Sequence, residues 1–478
     1  MAYTGFVTTL KNVHKHSNAD RLQIGECFGN SVIVSMDYVE GQLGVYFPVD
    51  GQLSEEFCKA NDLVRRKDEN GNYCGGYLDP EKRNIKALKL RGEKSDGLFL
   101  PLTCLADFCK ISDLKEGDTI SVLNGKEICK KYIPKRNHAS HVYHGGNGKR
   151  AKANFAPTFY EHVDTAQLAY NLGEFKAGDV VELTLKMHGT SGRTGYLPLH
   201  RRKPQTLWDK LRRRPGKEYT EYGYVTGTRR VVLDDKHDGG YYSDNEFRNQ
   251  MAKKFEGKLR KGEVVYYEIV GFVNENTPIM ASVRNSKIKD KEFSKQYGEE
   301  TVFSYGCDPN GNWEPTVEIN SFDGENLQKN TVAPKCEVYV YRMTQINDDG
   351  DVVELSPDQV RYRCEQMGIK TVPVFERFII PRFDNVVQLD EQGYYVGEDT
   401  SHEINPGEYV LRKVEEYFDG PDPIGKTHIR EGVVARIVNR PNIAVYKHKN
   451  FQFKVLEGII KDEAIEPDME EAQDESIN

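Results

Sequence analysis

The stretch of sequence that decides the fold runs from Val180 to Ser191 and reads VVELTLKMHGTS. Its first six residues are rich in valine and leucine, which predicts a β-strand. Lys186 follows at the end of that strand, directly before a polar turn. A half-buried lysine loses its proton more easily than a solvated one, and a neutral lysine amine is a nucleophile. The residues alone leave two interpretations open, a reactive lysine and an ordinary strand end.

The turn after Lys186 has residues that suit contact with a phosphate. Gly189 has no Cβ atom, so its backbone can come close to a phosphate group. Thr190 and Ser191 follow it directly and offer two hydroxyl groups. We therefore take this turn as the centre of a candidate site and ask what the rest of the chain brings to it.

Residues 157–460 predict one large domain in which strands alternate with helices. A helix is expected to begin after Ser356, which suits an N-cap with Pro357 in the first turn, and to end at Gly368. Residues 244–247 are expected to begin another helix. The predicted strands read VVELTLKM, VVYYEIVGF, TVFSYG, EVYVYRMT, EGVVARIV and FQFKVLEG. The predicted fold class is α+β, with largely antiparallel sheets and flanking helices.

Residues 1–133 predict a smaller module made mostly of strands. Short apolar runs such as SVIVSM, LGVYFPV and GLFLPL are separated by Gly, Asp and Asn. Such spacing is typical of a small barrel or sandwich. Two polar segments, residues 18–22 and 89–98, stand out between these strands. They are either well-made turns or specialised contact segments, because Asn, Asp, Ser and Gly favour turns for local reasons.

Two segments are predicted to lie outside both domains. Residues 134–156 are polar and basic, and we interpret them as a linker. Their GGNGKR stretch lacks the spacing of a phosphate-binding loop, so a flexible hinge is the expectation. Residues 461–478 are acidic and are predicted to be a disordered tail.

Composition excludes several classes of protein. A chain of 478 residues is too long for one ordinary core, which predicts at least two domains. No apolar run approaches the ~18 residues of a membrane helix, and no secretory signal opens the chain, so we expect a cytoplasmic protein with no membrane partner. The nine cysteines include no C-x-x-C pair, which argues against a zinc ribbon and fits reduced thiols.

Charge alone argues against a simple nucleic-acid coat, because the net charge is −8. The basic residues are nevertheless clustered, which keeps a basic groove open as an interpretation. These clusters are Lys130-Lys131, Lys135-Arg136, Arg201-Arg202-Lys203, Arg212-Arg213-Arg214 and Arg229-Arg230.

Five later segments carry side chains that suit a site for a phosphorylated ligand. Glu268 lies inside an apolar strand, where a carboxylate is costly unless it has a partner. Lys447 and Lys449 have the period-two spacing that places both ammonium groups on one face of a strand. Alternation likewise places Tyr339 and Tyr341 on one face. In chain order the segments are GTRR (227–230), VYYEIVG (265–271), EVYVYRMT (337–344), REGVVAR (430–436) and VYKHKNF (445–451).

Together these segments resemble a known family. Lys186-Met187-His188-Gly189 is similar to the Lys-x-Asp/His-Gly signature of covalent nucleotidyltransferases, which include ATP-dependent ligases and capping enzymes. The histidine form followed by Gly-Thr resembles RNA ligases of the nick-sealing kind. The five later segments follow in that family's order. The resemblance extends to the N-terminal module, which is similar to the OB-like module that precedes the adenylyltransferase domain in one RNA ligase family.

The resemblance implies an activity and a set of roles. Lys186 would attack ATP and carry AMP, which then passes to an RNA 5′-phosphate before a 3′-hydroxyl displaces it. His188 would orient the phosphates. Nucleotide contacts would come from Gly189, Arg229, Glu268 and Tyr341, with Phe303 as a rival for the adenine. Glu431 would hold a divalent metal, Mg²⁺ or Mn²⁺. Lys447 and Lys449 would meet the charge on the α-phosphate.

The implied partner is RNA, either as a nicked duplex or as a hybrid with DNA, and RNA repair by a monomer is the implied setting. The residues expected to grip the nucleic acid are Arg91, Arg201, Arg202 and Arg213. The long basic segment 196–220 and the long stretch before Glu431 depart from the family pattern. Two alternatives stay open: another covalent nucleotidyltransferase, such as a DNA ligase or capping enzyme, and a non-catalytic RNA-binding protein with a degenerate transferase fold.

Overall fold

The structure is a computed structural model of the chain. It describes residues 3–71, 73–133, 156–163, 165–212, 214–229, 232–233, 246–274, 277–303, 305, 319–323, 326–330, 336–347, 349–383, 386–399, 403–426 and 428–462. Residues 134–155 of the predicted linker 134–156, residues 463–478 of the predicted tail 461–478, and Arg213 lie outside these residues. Among the helices of the described part of the chain, none has the length and apolarity to cross a membrane.

The described chain divides into two units. One unit holds residues 3–133 together with residues 449–462, and the other holds residues 156–448. The helices of both units are α1 Glu55–Ala60, α2 Leu207–Leu211, α3 Glu246–Lys253, α4 Lys291–Tyr297, α5 Pro357–Met367, α6 Pro406–Glu415 and α7 Phe451–Asp462. Short 3-10 turns occur at Leu102–Leu105, Ile111–Asp113, Leu168–Tyr170, Leu172–Glu174 and Asn285–Ile288.

The first unit is built mostly from short antiparallel strands, as its alternating apolar runs predict. A four-stranded sheet has the order β11-β5-β1-β12, and a three-stranded sheet has the order β2-β3-β4. The strands are β1 Gly5–Thr9, β2 Lys11–Lys15, β3 Leu22–Cys27, β4 Asn30–Ser35, β5 Leu43–Phe47, β6 Gly51–Leu53, β7 Arg65–Lys67, β8 Tyr73–Gly75, β9 Ala87–Leu90, β10 Glu93–Asp96, β11 Leu98–Pro101, β12 Thr119–Ile120, β13 Val122–Leu123, β14 Lys126–Glu127 and β15 Cys129–Lys131.

The two polar segments singled out in the first unit lie against each other. Asn18 donates from its amide to the carbonyl oxygen of Arg91 at 2.9 Å, and the Arg91 guanidinium donates to the carbonyl of Asn18 at 3.2 Å. Ser17 donates to Glu93 at 2.5 Å beside them. Arg91 itself is exposed at the β9–β10 turn, with a φ of 50°. The two segments therefore form one surface feature.

The second unit contains two larger sheets. The first has five strands in the order β16-β34-β33-β17-β30, and the second has the order β20-β19-β18-β21-β27-β28, with β22 and β29 paired at its side. The strands are β16 Ala166–Gln167, β17 Val180–Lys186, β18 Thr190–Arg202, β19 Glu218–Gly227, β20 Val232–Leu233, β21 Glu263–Asn274, β22 Thr277–Pro278, β23 Val283–Arg284, β24 Glu300–Thr301, β25 Ile319–Asp323, β26 Asn326–Asn330, β27 Cys336–Ile346, β28 Val352–Glu354, β29 Lys370–Thr371, β30 Val374–Ile379, β31 Val386–Leu389, β32 Tyr395–Asp399, β33 Gly432–Ile437 and β34 Ala444–Lys449.

Helices cover one face of the second sheet and leave the other face for a site. Apolar side chains of α3 and α5, such as Phe247 and Val360, pack with Val265, Tyr267 and Ile269 of β21. Because side chains alternate along a strand, Tyr266, Glu268 and Val270 project from the opposite face. Val270 there packs with Leu185, near the end of β17, and with Met187, in the turn between the two sheets.

The predicted helix α5 is confirmed with its caps. The Ser356 side chain accepts the backbone N–H of Gln359, and the Gln359 side chain accepts the backbone N–H of Ser356. Pro357 occupies the first turn, and Gly368 ends the helix with a φ of 65°. The helix expected at residues 244–247 is also present, as α3. The fold class is therefore mixed α+β with mostly antiparallel sheets.

The predicted strand FQFKVLEG is wrong, because residues 451–462 form helix α7. Phe451, Phe453 and Val455 alternate like a strand, yet the most buried positions are Phe453 and Leu456, three residues apart. Asn450 begins the helix by accepting the backbone N–H of Phe453 at 3.2 Å. An N-cap asparagine followed by apolar residues three apart is the signal that decides for a helix. Of the TVFSYG run, Thr301 lies in β24, and the other residues of the run that the structure describes, 302, 303 and 305, lie outside strands.

A buried ion pair fastens α5 to the second sheet and gives a test of the fold. Arg363 donates to both oxygens of Glu263 at 2.7 Å, and both side chains are more than nine-tenths buried. The substitution Arg363→Met is expected to lower the free energy of unfolding by about 3–5 kcal/mol, because it leaves a buried carboxylate without its cation. Urea unfolding followed by circular dichroism measures the change.

The matched control is Lys59→Met, which breaks an exposed pair with Glu55 and is expected to leave the unfolding midpoint in place. The double variant Glu263→Gln with Arg363→Met is expected to recover most of the loss. An unchanged midpoint in Arg363→Met would show that the pair does not hold the helix on the sheet.

Candidate active site

The candidate site is built where β17 of one sheet passes into β18 of the other. Lys186 is the last residue of β17 and pairs with Gly432, the first residue of the antiparallel strand β33. Glu431 therefore lies directly beside the lysine, although 245 positions separate them in the chain. Lys186 Nζ is 2.6 Å from Glu431 Oε1. The lysine side chain is 23% exposed and the glutamate side chain 3%, so the lysine is partly open to solvent while the carboxylate is enclosed.

Glu431 also reaches the next candidate residue. Its second oxygen, Oε2, lies 3.6 Å from His188 Nδ1. The backbone N–H of His188 donates to the hydroxyl of Tyr305 at 3.1 Å, and its ring meets Phe303 edge to face at 4.5 Å. His188 is therefore held in place from three sides, and one buried carboxylate lies between it and Lys186.

Gly189 is required by a close approach between backbones. A Cβ atom at this position would lie 2.3 Å from the carbonyl oxygen of Ile269 and 3.0 Å from Glu268 Cγ. No side chain fits in that space. The turn after Lys186 is consequently pressed against β21, and this brings Glu268 to the same site. Ser191, which pairs with Glu268 across the strands, donates to its carboxylate at 3.4 Å.

Arg248, which the sequence analysis did not single out, donates hydrogen bonds to the residues that follow the turn. Arg248 is 2% exposed on α3. Its guanidinium donates to the carbonyl oxygen of Ser191 at 3.0 Å and to the hydroxyl of Thr190. The helix begins where the sequence indicated, but nothing in that sequence shows which strand it covers. Only the packing of α3 on the second sheet connects this arginine to the turn.

The candidate tyrosines project from the same face as Glu268. Tyr339 pairs with Glu268 and packs in a cluster with Leu185 and Met187. Tyr341 lies further along β27, where its ring is 5.0 Å from that of His162. The two tyrosines thus share a face, and Tyr339 lies beside the lysine turn. Phe303 is 1% exposed, with its ring against His188 and His428.

Arg229 follows the end of β19 and is partly buried. The strand end before it is held by Arg193, which the sequence analysis did not single out. Arg193 is 1% exposed, and it donates to the carbonyl oxygens of Thr228 and Phe159, both at 3.0 Å. Burial lowers the pKa of this guanidinium. Arg193 thus ties the Arg229 segment to the stretch around Phe159.

The two lysines of β34 are placed differently. Lys447 pairs with Gln167 in the five-stranded sheet that also contains Lys186. Lys449 ends the strand, and its ammonium lies 2.6 and 2.8 Å from the two oxygens of Glu457 on α7. The division between the two units falls between His448 and Lys449. The structure therefore places Lys447 with the sheet of Lys186 and pairs Lys449 with a carboxylate of the first unit.

A buried polar cluster behind His188 was not found from the sequence. Asp422 and His428 are fully buried, in the long stretch before Glu431. Asp422 Oδ1 accepts the backbone N–H groups of Ile424 and Gly425, both at 2.8 Å. Tyr305 lies 4.8 Å from the His428 ring, and burial raises its pKa well above the ordinary value. The Asp-Pro-x-Gly turn at residues 422–425 was the available signal.

The residues of the site suit a nucleotide and a divalent cation. No group of three or more His, Cys, Asp or Glu side chains with metal-binding geometry occurs in the part of the chain that the structure describes. Mg²⁺ commonly binds one or two carboxylates together with phosphate oxygens and water. Glu431, a single buried carboxylate beside an amine, fits that kind of site better than a site made by protein ligands alone.

The nucleic-acid residues expected from the sequence fall on two surfaces. Arg91 is on the first unit, as described above. Arg201 and Arg202 are exposed at the end of β18, where Arg201 pairs with Glu221 at 2.7 Å and Arg202 pairs with Glu218 at 2.5 Å. Arg213 lies outside the described residues.

Comparisons with known proteins give one family and one group of similar structures. A family model described as RNA ligase matches residues 179–456. No curated protein sequence matches the chain. Solved structures of Naegleria gruberi RNA ligase are similar over nearly the whole length. A mutant with AMP and Mn is 14% identical with a TM-score of 0.51, and the match covers 94% of this chain and 97% of that one.

Two further structures of the same Naegleria gruberi protein give similar values. A mutant with ATP and Mn is 14% identical, with a TM-score of 0.51 and coverage of 94% and 98%. The protein with PPi is 15% identical, with a TM-score of 0.50 and coverage of 94% and 97%. At such identities these matches establish a shared fold.

The buried cluster predicts a pH dependence of stability. Burial lowers the pKa of His428 from its ordinary 6.5. Below that pH the unfolded chain takes up a proton on this imidazole while the folded chain does not, so the free energy of unfolding falls as the pH falls. The variant His428→Gln is expected to lose up to about 1.4 kcal/mol per pH unit of this dependence. Urea unfolding at pH 7.5 and 5.5 measures it.

The control is His200→Gln, because His200 is exposed and its loss is expected to leave the pH dependence intact. If the free energy of unfolding falls equally between pH 7.5 and 5.5 in the wild type and in His428→Gln, the prediction is contradicted.

Proposed function

Because this chain belongs to the RNA ligase family, we propose that it joins an RNA 3′-hydroxyl to a 5′-phosphate through ATP-dependent transfer of AMP by Lys186. The observation that carries the proposal is the pairing of Lys186 Nζ with the buried Glu431 at 2.6 Å. The lysine side chain is partly open to solvent, its amine contacts the carboxylate, and the turn that follows it admits no side chain at Gly189. The structures of the Naegleria gruberi enzyme with ATP, AMP and Mn support ATP as the donor.

In the first step, Lys186 Nζ forms a bond to the α-phosphorus of ATP as the bond from that phosphorus to pyrophosphate breaks. The amine must lose a proton in this step, and Glu431 Oε1 is the atom within hydrogen-bond distance of it. AMP then passes to the RNA 5′-phosphate, and the 3′-hydroxyl displaces AMP in the last step. His188, held by Glu431, Phe303 and Tyr305, is suited to orient the phosphates during these transfers.

The nucleotide is proposed to lie over the face of the second sheet that carries Glu268. Glu268 would accept from a ribose hydroxyl, and Gly189 would let the backbone approach the phosphates. Tyr341 is the proposed adenine contact, and Arg229 the proposed contact of the nucleotide or of the end to be joined. Lys447, in the sheet that contains Lys186, would meet charge on the α-phosphate, and Lys449 would do so on leaving Glu457.

A divalent cation, Mg²⁺ or Mn²⁺, would be held by Glu431 together with phosphate oxygens. It would offset the negative charge of the phosphates during transfer.

RNA is the proposed substrate, as a nicked duplex or a hybrid with DNA, and RNA repair by a cytoplasmic monomer is the proposed setting. The first unit is proposed to be an OB-like module that binds the nucleic-acid backbone, with Arg91 among its contacts. Arg201, Arg202 and Arg213 are proposed as further backbone contacts. Sealing of a panel of nicks with RNA or DNA on each side of the break tests the choice of substrate.

The lysine gives the sharpest test of the proposed function. Wild-type protein incubated with α-labelled ATP and Mg²⁺ or Mn²⁺ is expected to carry label on a denaturing gel. The variant Lys186→Ala is expected to carry none, because no other atom replaces the attacking nitrogen. Labelled GTP in place of ATP separates this activity from that of a capping enzyme.

Lys413→Ala is a matched control, because Lys413 is 24% exposed and pairs with Glu376 much as Lys186 pairs with Glu431. It is expected to keep full labelling. Label retained by Lys186→Ala, or absent from the wild type, would refute the proposed chemistry.

Gly189→Ala tests the close approach of the turn to β21. The added methyl would meet the carbonyl oxygen of Ile269 at 2.3 Å, so the turn must move away from Glu268. A displacement of about 1 Å at a reacting group can cost about 100-fold in rate, and a loss of that size is expected in the rate of self-labelling.

The matched control is Gly173→Ala, where the new methyl meets nothing within 4 Å. It is expected to label at the wild-type rate. Equal rates in both variants would show that the approach has no part in the reaction.

A further inference from the structure

β18 and β19 form a long hairpin that begins in the second sheet beside the candidate active site, and beyond Gly195, where the pairing of β18 with β21 ends, it continues as a two-stranded arm. β18 and β19 remain paired from Arg193 and Gly227 to Arg202 and Glu218. Residues 203–217 form the tip of the arm and include the short helix α2. Thr190, beside the lysine turn, and Arg202, at the base of the tip, belong to one continuous strand. The arm therefore connects the site directly to a distant surface.

The described residues on the two sides of the tip are joined by their own hydrogen bonds. The backbone N–H of Lys203 donates to the carbonyl oxygen of Lys217 at 2.9 Å. The Gln205 side chain donates to the carbonyl oxygen of Arg214 at 2.7 Å. A Cβ atom at Gly216 would lie 1.9 Å from the carbonyl oxygen of Lys203, so the two sides of the tip are in close contact. These contacts give the tip a defined surface.

The charges of the arm are concentrated at its tip. Along the strands, Arg201 and Arg202 are paired with Glu221 and Glu218, so the stem carries little net charge. In sequence, residues 203–217 include six basic residues and one acidic residue. The basic side chains among them that the structure describes are all exposed: Lys203, Arg212, Arg214 and Lys217. The chain as a whole has a net charge of −8. The tip is therefore a basic surface on an acidic protein, which favours a polyanionic partner.

The tip also exposes large apolar side chains. Trp208 is 68% exposed, and its neighbours Leu207 and Leu211 are 85% and 77% exposed. The Arg212 guanidinium lies 5.8 Å from the centre of the tryptophan ring. An exposed tryptophan amid basic side chains is suited to stack on a nucleobase while the cations meet phosphates.

We propose that the tip of this arm binds an unpaired stretch of the RNA substrate, with Trp208 stacked on a base and Lys203, Arg212 and Arg214 on the phosphates. The proposal rests on the proposed function, since it takes RNA to be the substrate. An unpaired strand is specified because a ring stacks only on a base face that is free, and the bases inside a duplex cover one another. The tip then selects RNA with a single-stranded segment near the break.

The length of the arm sets how far from the break that segment lies. The twelve residue steps from Thr190 to Arg202 span at most about 40 Å at roughly 3.3 Å per residue. At about 3.4 Å per stacked nucleotide, this corresponds to about twelve nucleotides. RNA that is shorter than this on the side of the arm can still reach the active site but cannot reach the tip at the same time.

Tryptophan fluorescence tests the proposal directly. The chain has two tryptophans, so the Trp313→Phe background leaves Trp208 as the emitting group. A single-stranded 20-nucleotide RNA is expected to quench this emission, and a blunt duplex of the same sequence is expected to quench it far less. Equal quenching by both would overturn the role of base stacking. A response to vesicles of anionic lipid but not to RNA would overturn RNA as the partner.

Variants provide a second measurement in the full-length protein. Trp208→Ala is expected to weaken binding of the fluorescently labelled single strand roughly 5- to 100-fold, whereas Trp208→Phe keeps a stacking ring and most of the affinity. Tyr394→Ala, which removes another exposed aromatic side chain, is the matched control and is expected to bind as the wild type does. Unchanged binding by Trp208→Ala would overturn the proposal.

The cations of the tip are tested by salt. The combined variant Lys203→Gln, Arg212→Gln and Arg214→Gln is expected to lower the slope of log affinity against log salt by about 2, at about 0.7 for each phosphate contact to a single strand. An unchanged slope would overturn the phosphate contacts.

Self-labelling with ATP in the same preparations separates the two proposals. If the protein acquires label but the emission of Trp208 does not respond to RNA, the proposed role of the tip is refuted while the proposed function remains supported. Protein that binds RNA through the tip but never acquires label overturns the proposed function instead.

Discussion

The enclosed carboxylate of Glu431 is the constraint on which the site depends. A buried carboxylate is stable only with partners. Lys186 Nζ lies 2.6 Å from one oxygen of Glu431, and His188 Nδ1 lies 3.6 Å from the other. The pairing of Lys186 with Gly432 brings Lys186 next to Glu431. The register between β17 and β33 therefore sets the geometry of the site. The same amine that satisfies the carboxylate is the one that we propose carries AMP. The contact between Lys186 and Glu431 is thus part of both the packing of the site and the proposed reaction.

The second sheet contributes further side chains to the site, because only one of its two faces is covered by helices. Helices α3 and α5 cover one face with apolar side chains, and the other face presents Glu268 and Tyr339 to the lysine turn. Gly189 lets the turn between β17 and β18 lie close against β21, because only a residue without a side chain fits beside the carbonyl oxygen of Ile269. Arg248 of α3 donates hydrogen bonds to the Ser191 carbonyl oxygen and to the Thr190 hydroxyl. The rigid part of the site is therefore the junction of the two sheets.

The long arm of β18 and β19 adds a second surface to this enzyme of the RNA ligase family. Its stem is nearly neutral because arginines and glutamates face each other across the strands. Its tip combines cations with an exposed tryptophan, a combination that we propose favours unpaired nucleic acid over a duplex. Since the arm begins at Thr190, a strand held at the tip would run back toward the turn where joining takes place.

Local sequence was enough to predict the strand that ends at Lys186, the caps of α5 and the chemistry of the side chains in each segment, since these depend on neighbours along the chain. It failed at α7, where alternating apolar residues outweighed the N-cap at Asn450. It also missed Arg193, Arg248, Asp422 and His428, whose burial comes from contacts with distant segments. Sequence by itself determined which groups are available and on which strands they lie. Only the tertiary structure decided which of them meet, because the pairing of β17 with β33 and the covering of one sheet face are set by packing between residues far apart in the chain.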